Sequence, residues 1–331
     1  MSKFILELPI RSLKPISMLN RRHIRIKVLQ LLYAFFHSES DDIMKLEREL
    51  EKSFKKTHDL YIHLLFLLVN LRSLAEHKIE MGKNKLLPSR EDLDPNTKFI
   101  DNQVLNLLSQ NLFLLEKIES EPIYWDENPE IQSKLLRQIQ DSDLYIDYMA
   151  NSQSSFIDDR KFISALFAEF IAPNEDIHAY LQEKSIYWSD DFISVNLAVV
   201  KTLKSFKADS DEYARMLPLF KSEDDKQYAF DLLKRTLANS SDYKKFVVET
   251  ASNWEEDRIS DMDQLIMQMA ISELLNFETI PVKVTLNEYI EVSKDYSGQK
   301  SKVFINGVID KLVIRFKKEG KLKKIGRGLV E

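Results

Sequence analysis

Three arginines lie close together near the start of the chain, at positions 21, 22 and 25. In a helix that begins here, Arg21 and Arg25 share a face, and Arg22 precedes Arg25 by three positions. Positive charge at a helix N-terminus opposes the helix dipole, so a compensating anion is expected. We therefore predict that this turn binds a polyanion, with affinity that falls steeply with salt. A solvated basic turn without a ligand is the alternative.

A second group near the other end of the chain alternates two lysines with an aromatic ring: Lys300, Lys302 and Phe304. An exposed phenylalanine beside lysines offers a surface on which an unpaired base can stack, contributing ~1–3 kcal/mol per base. Single-stranded RNA is commonly recognised by such stacking and by hydrogen bonds to base edges. The alternative is that Phe304 is a core residue, because apolar residues flank it on both sides.

No catalytic constellation accompanies these cations. The sequence pairs no nucleophile with a general base. The absence of cysteine excludes disulfides and cysteine-based zinc sites, and His58 and His63 are spaced wrongly for a metal pair on one helix face. The six glycines lack the spacing of a dinucleotide fingerprint or a phosphate-binding loop. We predict that the protein is not an enzyme and requires no cofactor or metal.

The distribution of charge is more informative than the net charge of −6. Residues 1–30 contain seven Lys or Arg and one Glu, and residues 315–331 contain seven Lys or Arg and two Glu. The part of the chain between them is therefore strongly acidic. This asymmetry favours cationic ends that meet phosphate and an acidic body that does not. Two solvated basic tails are the alternative.

The longest apolar run, residues 60–71, contains a histidine and is too short to cross a membrane. The N-terminus lacks the apolar core and cleavage site of a signal peptide. Together with the absence of cysteine, these features predict a cytoplasmic protein without a membrane segment.

The scarcity of glycine and the long runs with helical periodicity predict an all-α fold. We expect a flexible arm over 1–17, although Met18 could be the true start of the protein, and a basic tail over 319–331. Gly82 to Asn96 is the best linker. The predicted helices span 21–38, 44–80, 98–119, 129–150, 158–171, 175–185, 191–207, 212–219, 224–238, 241–252, 259–276, 283–296 and 300–318. Asn20 is the predicted N-cap of the first helix. Glu273 is predicted at the polar edge of the helix over 259–276.

The motifs at the two ends resemble the NusB family of transcription antitermination factors. Members carry an Arg-Arg-x-x-Arg start followed by Gln-x-Leu-Tyr, then Pro-x-Lys-Val, Asn-Glu and Phe-Val-Asn-Gly-Val. The corresponding residues here are Arg21, Arg22, Arg25, Gln30, Leu32, Tyr33, Pro281, Lys283, Val284, Asn287, Glu288, Phe304, Ile305, Asn306, Gly307 and Val308. The resemblance covers about 20–38 and 212–318.

The resemblance implies an all-helical fold of two small bundles. It implies a protein that binds the boxA element of ribosomal RNA transcripts together with the ribosomal protein NusE and promotes read-through by the RNA polymerase antitermination complex. The residues implied to contact RNA are Arg21, Arg22, Arg25, Lys300, Lys302 and Phe304. Tyr33 and Asp263 are implied, less directly, to lie on the side that faces NusE.

Two departures from the family pattern stand out. Residues 18–40 and 211–318 would form the NusB-like domain, but residues 41–210 have no counterpart in the usual member and predict an additional helical insertion. Lys300 stands where members often carry an acidic or polar residue, which predicts tighter and less selective RNA binding.

Other functions and assemblies remain as alternatives to this interpretation. One is a helical protein-interaction scaffold that has lost RNA binding. Another is a fusion to a ribosomal RNA methyltransferase, which the missing cofactor-loop glycines disfavour. A homodimer that hides the RNA surface is a further alternative for the free protein.

Overall fold

A computed structural model describes residues 17–38, 42–120, 125–153, 155–251, 259–298 and 301–325. These residues contain helices and no strands, so the predicted all-α fold is confirmed. The α-helices are α1 (Arg21–Phe36), α2 (Ile43–Lys83), α3 (Arg90–Leu93), α4 (Gln103–Gln110), α5 (Leu112–Ser120), α6 (Pro129–Gln140), α7 (Asp143–Ala150), α8 (Phe156–Leu166), α9 (Glu175–Lys184), α10 (Phe192–Ser205), α11 (Glu223–Ala238), α12 (Ser240–Thr250), α13 (Asp261–Asn276), α14 (Val282–Tyr296) and α15 (Ser301–Lys318). Short 3₁₀ turns occur at Trp125–Glu127 and Ile186–Trp188, and a π-helical turn at Phe167–Ile171.

The chain divides into two compact units. The central unit contains Phe54–Leu219 together with the described residues up to Met18, and the terminal unit contains Leu19–Ser53 together with the residues from Phe220 onward. The first eleven residues of α2 thus belong to the terminal unit and the rest of this helix to the central unit. The insertion predicted from the sequence has different limits, 41 and 210. Among the described residues, no helix combines the length and the apolar character needed to span a membrane.

The core of the central unit is built around the apolar part of α2. Two tryptophans, Trp125 and Trp188, are fully buried against this helix. Their indole N–H groups donate to the backbone carbonyls of His63, at 2.8 Å, and Lys56, at 2.6 Å. A buried indole needs such an acceptor, so these two bonds fix α2 in the core.

Two helices predicted as continuous are each broken in the central unit. The helix predicted over 98–119 is interrupted at Asn111, whose side chain accepts a hydrogen bond from the backbone N–H of Leu114 at 3.0 Å. The helix predicted over 129–150 is interrupted before Ser142, which accepts from the N–H of Tyr145 at 3.2 Å. Asparagine and serine are strong N-cap residues, and each starts a new helix here.

The helix predicted over 212–219 is absent from this described segment, so that prediction was wrong. Its backbone bonds to other elements instead. The carbonyl of Glu212 accepts from the N–H of Leu112 at 3.0 Å, and that of Pro218 from the N–H of Met18 at 2.9 Å. The N–H of Leu217 donates to the Tyr61 hydroxyl at 3.2 Å. A proline at 218 also disfavours helical backbone at the residue before it.

The terminal unit is organised around α13. This helix packs against α1, α11, α12, α14 and α15. Every residue from Leu265 to Leu274 is buried, as expected for a helix that is surrounded by others. The apolar side of α1, formed by Ile24, Val28 and Leu32, is also fully buried.

The residues after α15 turn back onto the end of α13. Gly320 adopts a φ of 65°, and the N–H of Lys321 donates to the carbonyl of Phe316 at 2.9 Å. This is a glycine-terminated helix end. The Lys324 ammonium then donates to the carbonyls of Phe277, at 2.8 Å, and Glu273, at 3.2 Å. Burial lowers the pKa of Lys324 to about 8. The rest of the predicted basic tail, and residues 1–16 of the predicted arm, lie outside the described residues.

Candidate nucleic-acid interface

The arginine turn is positioned by the cap at the start of α1. The side-chain oxygen of Asn20 accepts from the backbone N–H groups of Arg22, at 2.9 Å, and His23, at 3.0 Å. His23 Nδ1 accepts from the N–H of Asn20 at 3.4 Å, which completes a capping box. Asn20 therefore starts the helix as predicted and places all three arginines in its first turns.

Arg25 lies in the interior of the terminal unit. Its side chain is 2% exposed, and its Nε and Nη2 donate to the two carboxylate oxygens of Glu273, each at 2.8 Å. Glu273 is fully buried and also accepts from Thr285 Oγ1 at 2.8 Å and from the Tyr228 and Tyr289 hydroxyls. Glu273 was predicted at the polar edge of its helix, and this prediction was wrong.

The ion pair stays charged because its members stabilise each other. Burial alone would raise the pKa of Glu273, but the charge and hydrogen bonds of Arg25 outweigh burial and lower it. Burial opposes the charge of Arg25, yet Glu273 raises the Arg25 pKa above its ordinary value. Burial, together with the Glu273 charge, raises the pKa values of Tyr228 and Tyr289, so both hydroxyls remain neutral donors.

Arg21 and Arg22 are more accessible, with side chains 41% exposed. Arg21 Nε donates to Asp225 at 2.9 Å. Arg22 forms a bidentate pair with Glu288, with both distances 2.9 Å, and this bonding raises the pKa of Arg22. The anion that the sequence led us to expect is thus supplied, in this structure, by carboxylates of the same unit. These carboxylates lie on other helices, so the sequence pattern of α1 alone could not identify them.

A cleft of about 480 Å³ opens beside these arginines. Its lining combines charged, polar and apolar groups contributed by the start of α1, by the segment that leads into α14 and by the first turns of α14. The lining residues are Asn20, Arg21, Arg22, Arg25, Thr279, Ile280, Pro281, Val284 and Glu288. The cleft can therefore accept an anionic group next to an apolar one.

The second predicted group lies at the start of α15. Lys302 is exposed and Phe304 is half-buried, between the two alternatives considered from the sequence. Lys300 lies outside the described residues. Neither Lys302 nor Phe304 lines the cleft as the structure describes it. Their contact with RNA stays a prediction, as does that of the three arginines.

The two residues predicted to face a protein partner have different surroundings. Tyr33 lines a cavity of about 250 Å³ and stacks on His37, with ring centroids 4.1 Å apart. Asp263 is buried and accepts from Ser301 Oγ at 2.8 Å and from Ser297 Oγ. Asp263 thus links α13 to the start of α15, and it is not among the residues that line the Tyr33 cavity.

Comparison with known proteins agrees with the C-terminal motifs. A family model described as the NusB family matches residues 197–313. A protein of Salinibacter ruber named transcription antitermination protein NusB is 38% identical over 114 residues, which cover 34% of this chain and 71% of that protein. The protein of the same name from Chloroherpeton thalassium is 38% identical over 106 residues, covering 32% of this chain and 50% of the relative.

A third protein of that name, from Natranaerobius thermophilus, is 35% identical over 92 residues, covering 28% of this chain and 66% of the relative. The chain thus spans half to about two thirds of the length of two of these relatives. No solved structure shows significant similarity to the chain.

Proposed function

Because the chain belongs to the NusB family, we propose that it is a transcription antitermination factor that binds RNA and positions partners. The observation that carries this proposal is the family membership together with the arginine turn beside an open cleft. No chemistry of its own is required, since the factor acts by holding other molecules together.

The proposed RNA surface is centred on the accessible arginines of α1. Arg21 and Arg22 present about two fifths of their side chains to solvent, and guanidinium groups bind phosphate through charge-assisted hydrogen bonds. Arg25 supports the turn through its ion pair with Glu273. We also assign Lys302, Phe304 and Lys300 to RNA contact, since charge and an aromatic ring suit the phosphates and unpaired bases of a single strand.

The finer proposal concerns the identity of the partners. We propose that the RNA is a boxA-type single strand in ribosomal RNA transcripts and that NusE joins the complex on the side of Tyr33 and Asp263. The assembly would then act on RNA polymerase during read-through. These assignments follow the family resemblance, and the cavity beside Tyr33 provides an accessible concave surface for a protein partner.

The proposal is tested by fluorescence anisotropy with a short boxA-containing RNA and a scrambled RNA of equal length, each with and without NusE. We expect selective binding to boxA RNA that NusE strengthens, and weaker binding by a variant carrying Arg21→Gln and Arg22→Gln. Lys45→Gln, which removes an exposed charge elsewhere in the same unit, is the matched control. Equal, weak binding to both RNAs, unaffected by NusE, would contradict the proposal.

A protein-interaction scaffold without RNA binding is the second candidate. It is favoured by the ion pairs that already neutralise Arg21, Arg22 and Arg25, and by the size of the central unit. A pulldown that finds partners dependent on the central unit, combined with no affinity for either RNA, would select this candidate over RNA binding.

A further inference from the structure

Each arginine of α1 is paired with a carboxylate. The three differ in whether that carboxylate would keep a cationic partner if the arginine moved to an RNA phosphate. We propose that Arg22 is the arginine that leaves its carboxylate partner, Glu288, to bind an RNA phosphate. Glu288 lowers the free-energy cost of this exchange because it can pair with a second cation. The inference rests on the proposed function and adds to it a positioning residue that controls the affinity for RNA.

Glu288 is shared between two arginines. Its Oε2 accepts from Arg22 Nε at 2.9 Å and lies 3.5 Å from Arg25 Nη1. Its side chain is 22% exposed, between the more accessible Arg22 and the buried Arg25. If Arg22 binds a phosphate instead, Glu288 still has Arg25 within ion-pairing distance. No carboxylate is then left in the partly buried site without a positive partner.

Arg21 has a different arrangement. Its partner Asp225 is only 11% exposed, and among the described residues Arg21 is the only cation that pairs with it. The Arg21 guanidinium also lies over the Tyr228 ring, 5.0 Å from the centroid. Removing Arg21 from this position would leave a mostly buried carboxylate without its cation, which is costly. Arg21 therefore keeps its pair with Asp225 when RNA binds, and only its remaining N–H groups can donate to a phosphate.

Arg25 cannot make the exchange. Its guanidinium is buried and bonded twice to Glu273, so its release would leave a fully buried charge without a partner. Arg25 instead stays in place and serves as the ion-pair partner of Glu288 after Arg22 has bound a phosphate.

The cleft gives the released Arg22 a place to meet a nucleotide. Arg22 lines it together with Pro281 and the exposed side chain of Val284. A phosphate against the guanidinium would lie next to an apolar rim, against which a ribose or base can pack. The cleft thus offers one nucleotide of an RNA strand a charged contact and an apolar contact.

The test compares RNA affinities of single variants, measured by anisotropy with the boxA-containing RNA at fixed salt. Glu288→Gln removes the competing carboxylate charge, and we expect roughly two- to fivefold tighter binding, the range for a partly exposed ion pair. Asp295→Asn, seven residues later on the same helix, removes an equal charge at an exposed position and should change affinity less than twofold. Arg22→Gln should weaken binding several-fold, and Arg21→Gln should weaken it to a smaller extent, because Arg21 offers a phosphate only the N–H groups that Asp225 leaves unbonded.

The coupling between Arg22 and Glu288 in RNA affinity tests the inference most sharply. In the Arg22→Gln background, Glu288→Gln should no longer tighten binding. A gain in affinity from Glu288→Gln that persists without Arg22, or no gain in its presence, would overturn the inference. The proposed function would survive that result if Arg22→Gln still weakened RNA binding.

A second measurement covers the case in which Glu288→Gln impairs folding. In the unmodified protein, the side-chain Nε–Hε resonance of Arg22 should shift during RNA titration, while that of Arg25 should stay nearly constant. Equal shifts of both resonances, or a shift of Arg25 alone, would contradict the exchange. No RNA-dependent change, together with no measurable affinity for RNA, would instead count against the proposed function.

Discussion

Arg25 and Glu273 are 248 positions apart in the sequence and form a buried bidentate ion pair, with two N–O distances of 2.8 Å. This pair ties the first helix of the terminal unit to the central helix α13. It also gives Glu288 a fixed cation, 3.5 Å away, beside the accessible Arg22. The interior of the unit therefore organises the surface that we propose to bind RNA.

Breaking this pair should strongly destabilise the terminal unit. Glu273→Gln leaves the Arg25 charge buried without its anion, so we expect the free energy of unfolding to fall by about 3–5 kcal/mol. Urea denaturation followed by circular dichroism measures the change. Asp295→Asn, at an exposed position, is the control and should alter stability by less than about 0.5 kcal/mol. A loss below about 1 kcal/mol for Glu273→Gln would contradict the structural role.

The same pair predicts an acid-sensitive contribution to stability. The folded-state pKa of Glu273 is lower than its ordinary value of 4.5. Its stabilising contribution is therefore complete above about pH 4.5 and is lost as the pH falls through the lower folded-state value. We expect the stability difference between the unmodified protein and Glu273→Gln to be constant from pH 7 to pH 5. It should shrink below pH 4.5, as measured by urea unfolding at each pH; a difference that is constant down to pH 3 argues against the ion pair.

Local patterns predicted most helices of the fold but few of the contacts at the site. Helical periodicity and Asn20 placed the arginines correctly at the start of α1, because caps and amphipathic faces depend on neighbouring residues. The partners Asp225, Glu273 and Glu288 come from α11, α13 and α14, and nothing in the periodicity of α1 specifies them.

The errors have the same physical origin. Glu273 was predicted at the polar edge of its helix and is fully buried. A carboxylate is rarely buried, and only the distant Arg25 makes the burial of Glu273 favourable. The segment 212–219 looked helical because its apolar residues match a helical period. In the fold, its backbone groups bond instead to residues such as Leu112 and Tyr61.

In the central unit, a buried polar cluster gives a separate test of the structure. Tyr148 donates to Asp159 Oδ1 at 2.8 Å and accepts from Asn102 Nδ2 at 3.0 Å. Tyr148→Phe removes both bonds, so the unfolding free energy should fall by about 1–3 kcal/mol. Tyr213→Phe, at an exposed ring, is the matched control and should be neutral in thermal and urea unfolding. Equal stability of the two variants would show that the cluster contributes little.

The half-buried ring of Phe304 should contribute to RNA affinity if it stacks on a base. Phe304→Leu keeps an apolar side chain for packing but removes the aromatic face, and we expect a loss of about 1–3 kcal/mol in binding free energy. Val303→Ala changes the exposed neighbour and is the control. Anisotropy measures the affinities and thermal unfolding confirms the fold. Unchanged affinity in Phe304→Leu would make this ring a packing residue only.

The central claim is that the accessible arginines of α1, above all Arg22, contact RNA phosphate, and the salt dependence of binding tests it most directly. Each phosphate contacted on a single strand contributes about −0.7 to the slope of log K against log salt concentration. The slope should therefore become less steep by about 0.7 in Arg22→Gln, with affinity reduced at every salt concentration, while Lys45→Gln leaves both unchanged. An Arg22→Gln variant with the slope and affinity of the unmodified protein would contradict the account.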